Sequence, residues 1–407
     1  MKVLFFTVFL DLVGFGLLIP LMPFLAEHFQ ASPFDIGLLM AVYSGAQLIS
    51  APLWGGLSDR FGRRPVILIS IAGSAASAAL FAFSSSLAAL FFARAFAGVF
   101  GGNISAAHAA MADLTGREER SKAMGLLGAA FGLGFILGPL IGAGAAHIGG
   151  QLGSAPPFGM SFASLVAAVL SVANLIFAVI WLPETRWGLG HARGETTTAA
   201  GDALQVAEGH IGRYWQVVHH LRDGKLGPLA WIFALGTLAM ALMEVMMFKL
   251  MSDRFGWQMI TASLGFAYIG ICLVLTQGLL VRRLMPLWGE WQTLKIGLIA
   301  FALGLATVGL SWRLELTAIG VTLLAIGNGL MRPPNLGLLS LAANKDQQGA
   351  VMGTTQALGA LARVVGPAAG GVLYASLSPA APFLIAAGLA VLALAILWTH
   401  VKPSAEV

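Results

Sequence analysis

Charge is scarce in this chain. Only 10% of its 407 residues are Asp, Glu, Lys or Arg, where a soluble domain carries about 25%. That shortage excludes an ordinary water-facing surface over most of the length. Cysteine is nearly absent too. Cys272 stands alone inside an apolar run, which rules out an intramolecular disulfide and a cysteine-based metal cluster. No Gly-x-x-x-x-Gly-Lys-Ser/Thr run occurs, which argues against an ATP-driven pump in this chain. No nucleophile–base pair and no metal-ligand cluster emerges, so neither an enzyme nor a metal or other cofactor is expected. No Arg/aromatic patch suited to nucleic acid is visible. Period-2 alternation is missing as well, which argues against a β-barrel.

What is present is apolar. Hydrophobic residues make up 58% of the chain, and the mean hydropathy is +0.84. A membrane-spanning helix needs roughly 20 mostly apolar residues. Twelve such stretches can be read, at about 3–24, 36–57, 66–84, 87–110, 122–146, 158–182, 228–250, 259–281, 292–311, 315–342, 348–375 and 380–400. The expectation is an all-α membrane protein with twelve transmembrane helices. The first stretch is too long for a signal peptide, contains Asp11 and lacks a small-x-small cleavage site, so it reads as a retained span.

Basic residues give the orientation, because cytoplasmic loops collect Lys and Arg. With the N-terminus inside, Arg60, Arg63, Arg64, Arg117, Arg120, Arg282, Arg283 and Lys345 all fall in inner loops, whereas Arg254 and Arg313 fall outside. Both termini are then cytoplasmic. The pI near 9.6 reflects this bias rather than a nucleic-acid partner. Lys249, nearer the outer end of its span, reads as a snorkelling side chain.

The longest polar segment, 183–227, divides the spans into two sets of six, 1–182 and 228–407, and reads as a cytoplasmic interdomain loop. Within it Tyr214 to Leu221 could form a short amphipathic helix on the inner face. The halves repeat. Met124-Gly125, Gly138-Pro139 and Gly142 recur at the same spacing as Met352-Gly353, Gly366-Pro367 and Gly370, which aligns the fifth span with the eleventh. A parallel repeat of this kind marks a transporter built as two pseudo-symmetric six-helix bundles.

Two acids and three arginines lie well inside spans, where each costs roughly 3 kcal/mol or more and is a functional candidate. Asp11 is in the first span and Arg94 in the fourth. A carboxyl can be neutral or charged, as proton coupling requires; the alternative is a carboxylate paired permanently with Arg94. Arg94 stays charged, so it can tune Asp11 or simply pack as an ion pair. Glu244, Arg332 and Arg363 lie in the seventh, tenth and eleventh spans. Arg332 precedes Pro333-Pro334-Asn335, where two prolines interrupt the backbone ladder, and broken helices tend to line cavities. Two acids and three bases suggest a net positive cavity for an anionic or zwitterionic substrate. The alternative is that Glu244 pairs with one arginine while the other reaches water. Gly134, Gly138 and Gly142 line one helix face and suit close helix packing, with Pro139 supplying a bend.

The run Gly55-Gly56-Leu57-Ser58-Asp59-Arg60-Phe61-Gly62-Arg63-Arg64-Pro65 resembles the signature of the major facilitator superfamily between its second and third helices. Leu90-x-x-x-Arg94-x-x-Ala97-Gly98 resembles that superfamily's fourth-helix motif. Gly134-x-x-x-Gly138-Pro139-x-x-Gly142 resembles its antiporter motif, and Pro183-Glu184-Thr185 is similar to the usual end of its sixth helix. Asp11-Leu12-Val13-Gly14-Phe15-Gly16, followed by Pro20 and Pro23, resembles the first helix of drug:proton antiporters, tetracycline exporters in particular. Those exporters carry further ionisable residues where this chain has Ser77, Leu273 and Phe301.

The resemblance implies the major facilitator fold and a proton-coupled antiporter exporting a small amphipathic compound by alternating access. It implies Asp11 and Arg94 in proton coupling. It places Tyr43, Gln47 and Asn103 at the central cavity, where substrate contact and interhelical bonding are both open; His108, by its own chemistry, reads as a packed or hydrogen-bonded residue rather than a proton relay. Conformational gating falls to Gly55, Asp59, Arg60, Gly62, Arg63 and Arg64, and to the Gly134, Gly138, Pro139, Gly142, Gly366 and Pro367 positions. Asp59 would clamp the inner helix ends in one state. The expected partners are a small-molecule substrate, protons and the lipid bilayer, with a monomer as the unit. The expected location is the cell membrane as a multi-pass protein, in a bacterial inner membrane. Two alternatives remain: a proton-coupled importer or facilitator of an organic anion or metal chelate, and a non-transporting organiser or sensor.

Overall fold

The computed structural model describes residues 2–101, 106–107, 110–111, 113, 120–185, 224–343 and 348–401, without the side chains of 59, 120–126, 128, 131 and 348–350. The described residues are helical throughout their ordered elements and contain no strand. In chain order the helices are α1 (Lys2–Leu18), α2 (Leu21–His28), α3 (Pro33–Phe61), α4 (Arg63–Ala82), α5 (Leu87–Phe100), α6 (Arg120–Leu152) and α7 (Phe162–Trp181), followed by α8 (Leu226–Glu244), α9 (Met246–Phe255), α10 (Met259–Leu275), α11 (Val281–Leu310), α12 (Leu314–Ala342), α13 (Gln348–Ser376) and α14 (Ala381–His400).

Nine of the described segments are long and apolar enough to cross a membrane. The α1–α2 pair, bent by 40°, adds a broken span, and α5 is a shorter apolar helix. The segment Met259–Leu310 divides at Gly289, whose φ of 70° leaves the helical region. The twelve expected spans are therefore all represented. Large apolar side chains such as Ile49, Leu53, Phe92, Val169 and Leu341 point outward, as lipid-facing helix surfaces require.

Helix ends follow local chemistry. Ser32 and Asp35 form a reciprocal capping box that starts α3, with Pro33 at the first helical position. Ser86 accepts from the Ala89 N–H to start α5. Gly256, in the left-handed conformation, stops α9. The expectation of a break at Pro333-Pro334 is not met: α12 runs through both prolines as one helix. A proline keeps a helical φ, so two missing N–H donors weaken the ladder without requiring the chain to leave it. The breaks fall elsewhere, at Ile19–Pro20 between α1 and α2 and at Val245 between α8 and α9. They occupy the same place in the first and seventh spans.

Two compact units appear. The first comprises Met1–Gly190, Glu244–Ile271 and Pro367–Ser378; the second comprises His191–Met243, Cys272–Gly366 and Pro379–Val407. In the first unit α1 packs along α6, α4 along α7, and α3 along α5. One apolar core gathers Leu4, Val8, Leu12, Ile67, Ile71 and their neighbours. Another gathers Ile19, Phe248 and Ala262, with Phe15, Phe24, Phe135, Trp257 and Phe266 around them. In the second unit α11 packs along both α12 and α14.

The α1–α6 contact is made by backbone rather than side chains. A Cβ added at Gly138 would lie 2.6 Å from the Val13 carbonyl oxygen and 2.8 Å from the Gly16 carbonyl carbon. At Gly134 it would lie 2.7 Å from the Leu12 Cβ, and at Gly142 2.9 Å from the Leu17 carbonyl oxygen. The repeat shows its counterpart in the second unit, where a Cβ on Gly366 would press into Ala241 and Leu242 of α8. By contrast, nothing among the described residues lies within 4 Å of a Cβ at Gly55.

Gly138→Leu is therefore expected to cost about 1–3 kcal/mol from overpacking, and Gly55→Ala close to nothing by comparison. Thermal unfolding of the two purified variants in detergent checks this: a large drop in midpoint for the first and a near-native midpoint for the second.

Candidate transport site

Asp11 is half-buried on α1. It shares a small cleft with Thr7, Val8 and Leu12 of its own helix, Ile67 and Ile71 of α4, and Ala107. Among the described residues of that wall Thr7 is the only other one with a polar side chain; its hydroxyl donates to the Val3 carbonyl at 3.0 Å. The Asn174 side chain of α7 donates to the Thr7 carbonyl at 2.9 Å and fastens this part of α1 in place. The glycine face of α6 grips α1 from Leu12 to Leu17, immediately beside Asp11. The carboxyl is thus carried on a helix held along its backbone, among apolar walls.

Arg94, on α5, is only 2% exposed. Its guanidinium donates to the Met40 thioether at 2.8 Å. It lies over the Tyr43 ring at 4.4 Å and near the Phe15 ring at 5.9 Å, both cation–π distances. Its Nε has no hydrogen-bond acceptor among the described residues. Glu244, half-buried where α8 ends, is close enough to act on Arg94 electrostatically. From Phe15 an aromatic series runs on through Phe135 and Phe266 to Phe248, with centroid separations of 6.3, 6.0 and 5.7 Å.

Tyr43 and Gln47 lie on α3, facing α5. Gln47 donates to the Gly101 carbonyl at 2.8 Å, Ser50 to Gly98 at 3.3 Å and Trp54 to Val99 at 2.5 Å. These side chains add donors to carbonyls at the end of α5, where Gly98 also accepts from the Gly101 N–H at 3.2 Å. Gln47 is therefore an interhelical bond in this structure. Arg332 and Arg363 lie in the second unit: Arg332 is half-buried on α12, and Arg363 is exposed on α13, beside Gly359. Asn335, next to the two prolines, is buried and donates to the Leu229 carbonyl at 3.4 Å. Asn103 and His108 lie outside the described residues, as do 186–223 with the Tyr214 to Leu221 stretch.

Arg60, Arg63 and Arg64, expected in a loop, lie instead on the last turn of α3 and the first turn of α4, and the charged junction between these helices is built around Glu184. Gly62, at φ 106°, separates the two helices. The Glu184 carboxylate accepts from the Arg63 N–H at 2.9 Å and the Arg64 N–H at 3.1 Å, capping the first turn of α4. A carboxylate there also meets the positive end of the helix dipole. A Cβ at Gly62 would collide with that carboxylate. The Arg63 side chain pairs with Asp113 at 3.1 Å and donates to the Ser58 hydroxyl at 3.1 Å. Arg64 donates to the Val179 carbonyl at 2.6 Å. Arg60 is exposed and lies over the Phe61 ring at 5.1 Å. Asp59 belongs to the last turn of α3, and its side chain lies outside the description.

A helical membrane chain, a six-span repeat, a glycine face gripping the first span and a capped arginine loop are features of transporters. The sequence profile of the Major Facilitator Superfamily matches residues 4–367 and 291–407. The chain belongs to that superfamily. It is 32% identical over 382 residues to "Tetracycline resistance protein, class B" of Escherichia coli, covering 92% of this chain and 88% of that protein. It is 31% identical over 437 residues to "Major facilitator superfamily domain-containing protein 10" of Bos taurus, covering 99% and 93%. The crystal structure of the human organic anion transporter MFSD10 (TETRAN) superposes with a TM-score of 0.71 at 27% identity, covering 97% of this chain and 98% of that one. The chain is thus a multi-pass membrane transporter of small molecules rather than an enzyme.

Sequence reasoning missed several residues here. Glu184 was visible in Pro183-Glu184-Thr185 as a helix end, but its role as the cap of α4 needed the third dimension. Met40 and Phe15 carried no signal as partners of Arg94. Lys249 does more than reach toward water: its ammonium pairs with Glu27 at 3.0 Å and Asp253 at 2.5 Å.

Glu184→Ala should lower stability by about 1 kcal/mol or more through loss of the cap, and Glu184→Gln, which keeps an acceptor, by less. Thermal unfolding in detergent ranks the two; equal midpoints for Glu184→Ala and wild type would remove the cap from the account.

Proposed function

We propose that this chain is a proton-coupled antiporter that exports a small amphipathic compound by alternating access, with Asp11 as the group that gains and loses the proton. The observation that carries this reading is the placement of Asp11: a carboxyl in a largely apolar cleft, on a helix held by the antiporter-like glycine face of α6. The driving force is adequate, since about 2.3 kcal/mol is available per charge per 100 mV. Arg94 cannot deliver the proton itself; it sets the local field. The same reading takes 1–182 and 228–407 as the two repeats, 183–227 as the loop joining them, and the N- and C-termini as cytoplasmic, in a bacterial inner membrane. It takes the Asp59 to Arg64 loop as an inner clamp.

A second reading has a specific observation in its favour. The Arg94 guanidinium is buried, and in this structure it rests on sulfur and ring faces, with one nitrogen unmatched. An organic anion with an aromatic part would supply the missing acceptor, and the Phe15–Phe135–Phe266–Phe248 series would take its ring. The transport activity named for human MFSD10 is of that chemical kind. Under this reading the protein moves an organic anion, whichever direction the proton takes.

Purified protein in liposomes under an imposed pH gradient separates these outcomes, with tetracycline, ethidium and fluorescein as zwitterionic, cationic and anionic probes. Asp11→Asn should abolish proton-driven accumulation and leave substrate exchange intact; full accumulation by that variant would refute the coupling role. Arg94→Gln should weaken fluorescein transport at least tenfold more than ethidium transport if the anion reading holds, and equal losses would count against it.

A further inference from the structure

The ends of α2, α9 and α13 meet in a network that the transport reading has not used. Glu27 lies in the last turn of α2. Lys249 and Asp253 lie one turn apart on α9, and Tyr374 lies near the end of α13. The Lys249 ammonium sits between both carboxylates, and the Tyr374 hydroxyl donates to the second oxygen of Asp253 at 2.7 Å. The Lys249 side chain is 19% exposed, Glu27 30% and Asp253 38%, so each pair alone is close to a surface pair, and it is their joining in one network that adds to their worth.

The backbone around this network is unusually close. A Cβ at Gly37 of α3 would fall on the Pro367 carbonyl and 3.2 Å from the Ala368 Cα. A Cβ at Gly371 would lie 2.8 Å from the Phe34 Cα. Ile19, Phe248 and Ala262 form an apolar floor beneath. The helices that supply the charges are short pieces set off by breaks, α2 after Pro20 and α9 after Val245. The first compact unit takes in these pieces: Glu244–Ile271 and Pro367–Ser378 belong to it, although both are drawn from the second half of the chain.

We propose that Lys249 is the centre of an ionic latch that fastens α9 and the end of α13 to α2 and α3, and that this face of the transporter opens by releasing it. Release separates one ammonium from two carboxylates and frees the Tyr374 hydroxyl. Rehydration of those groups compensates for much of the lost attraction, so the latch can open within a transport cycle. The glycine contacts set the closed distance, and the ions set how often it is left. On the orientation proposed above this is the outer face.

The latch can be tested without substrate or gradient, so its failure is distinguishable from a failure of proton coupling. Spin labels are placed at Ala31→Cys and Ser378→Cys in a Cys272→Ser background, and their separation is measured by pulsed electron–electron resonance in liposomes. With Lys249 present the short separation should dominate. Lys249→Met should add a longer population, Lys249→Arg should keep the short one, and Tyr374→Phe should give a smaller shift in the same direction. If Lys249→Met does not yield monodisperse protein, Asp253→Asn and Tyr374→Phe decide. Distributions indistinguishable from the parent in the variants that fold would overturn the latch.

Discussion

The proton-coupling proposal depends on two helix backbones lying against each other. Along α6, Gly134, Gly138 and Gly142 present no side chain, and α1 fills the groove from Leu12 to Leu17. In lipid, helices gain little from hydrophobic association, because the surrounding tails are as apolar as the helices. Close van der Waals contact must do that work, and glycine permits it. The contact fixes the height and rotation of α1, and with them the position of Asp11. The same solution recurs at Gly366 against Ala241 and Leu242, as expected of a duplicated unit.

Polar groups are few, and nearly all of them complete something. The end of α5 takes further donors from Gln47, Ser50 and Trp54 of α3. The start of α4 takes its acceptor from Glu184, which ties the charged loop to the end of α7. Lys249 joins acids that are distant in sequence. Arg94 differs in how deeply it is buried, at 2% exposure, and its Nε is one of several buried side-chain atoms with no partner among the described residues. It is buried at a cost, with soft partners and an unmatched nitrogen, and a residue kept at such a cost in a membrane is a functional candidate.

The span pattern was legible because hydropathy is a local signal: twelve apolar runs are visible without knowing what they touch. The repeat was legible for a similar reason, since Gly138-Pro139 and Gly366-Pro367 keep the same spacing from their Met-Gly pairs. Helix breaks were less so. Pro333-Pro334 reads as a break, yet α12 continues, whereas the first span bends at Ile19–Pro20 and the seventh is cut at Val245, where no proline marks it. Partners were not legible at all. Glu184 with Arg63 and Arg64, Lys249 with Glu27, and Arg94 with Met40 and Tyr43 are meetings between segments far apart in sequence. Only folding brings them together.

The central claim is that substrate and proton exclude each other on one transporter, and the most direct measurement is proton release on binding. Purified protein in weakly buffered detergent with a pH indicator is mixed with tetracycline, and separately with fluorescein. The account predicts that whichever compound binds displaces protons from wild type, and that Asp11→Asn binds it with no release. Binding to wild type without proton release, or with proton uptake, would contradict antiport.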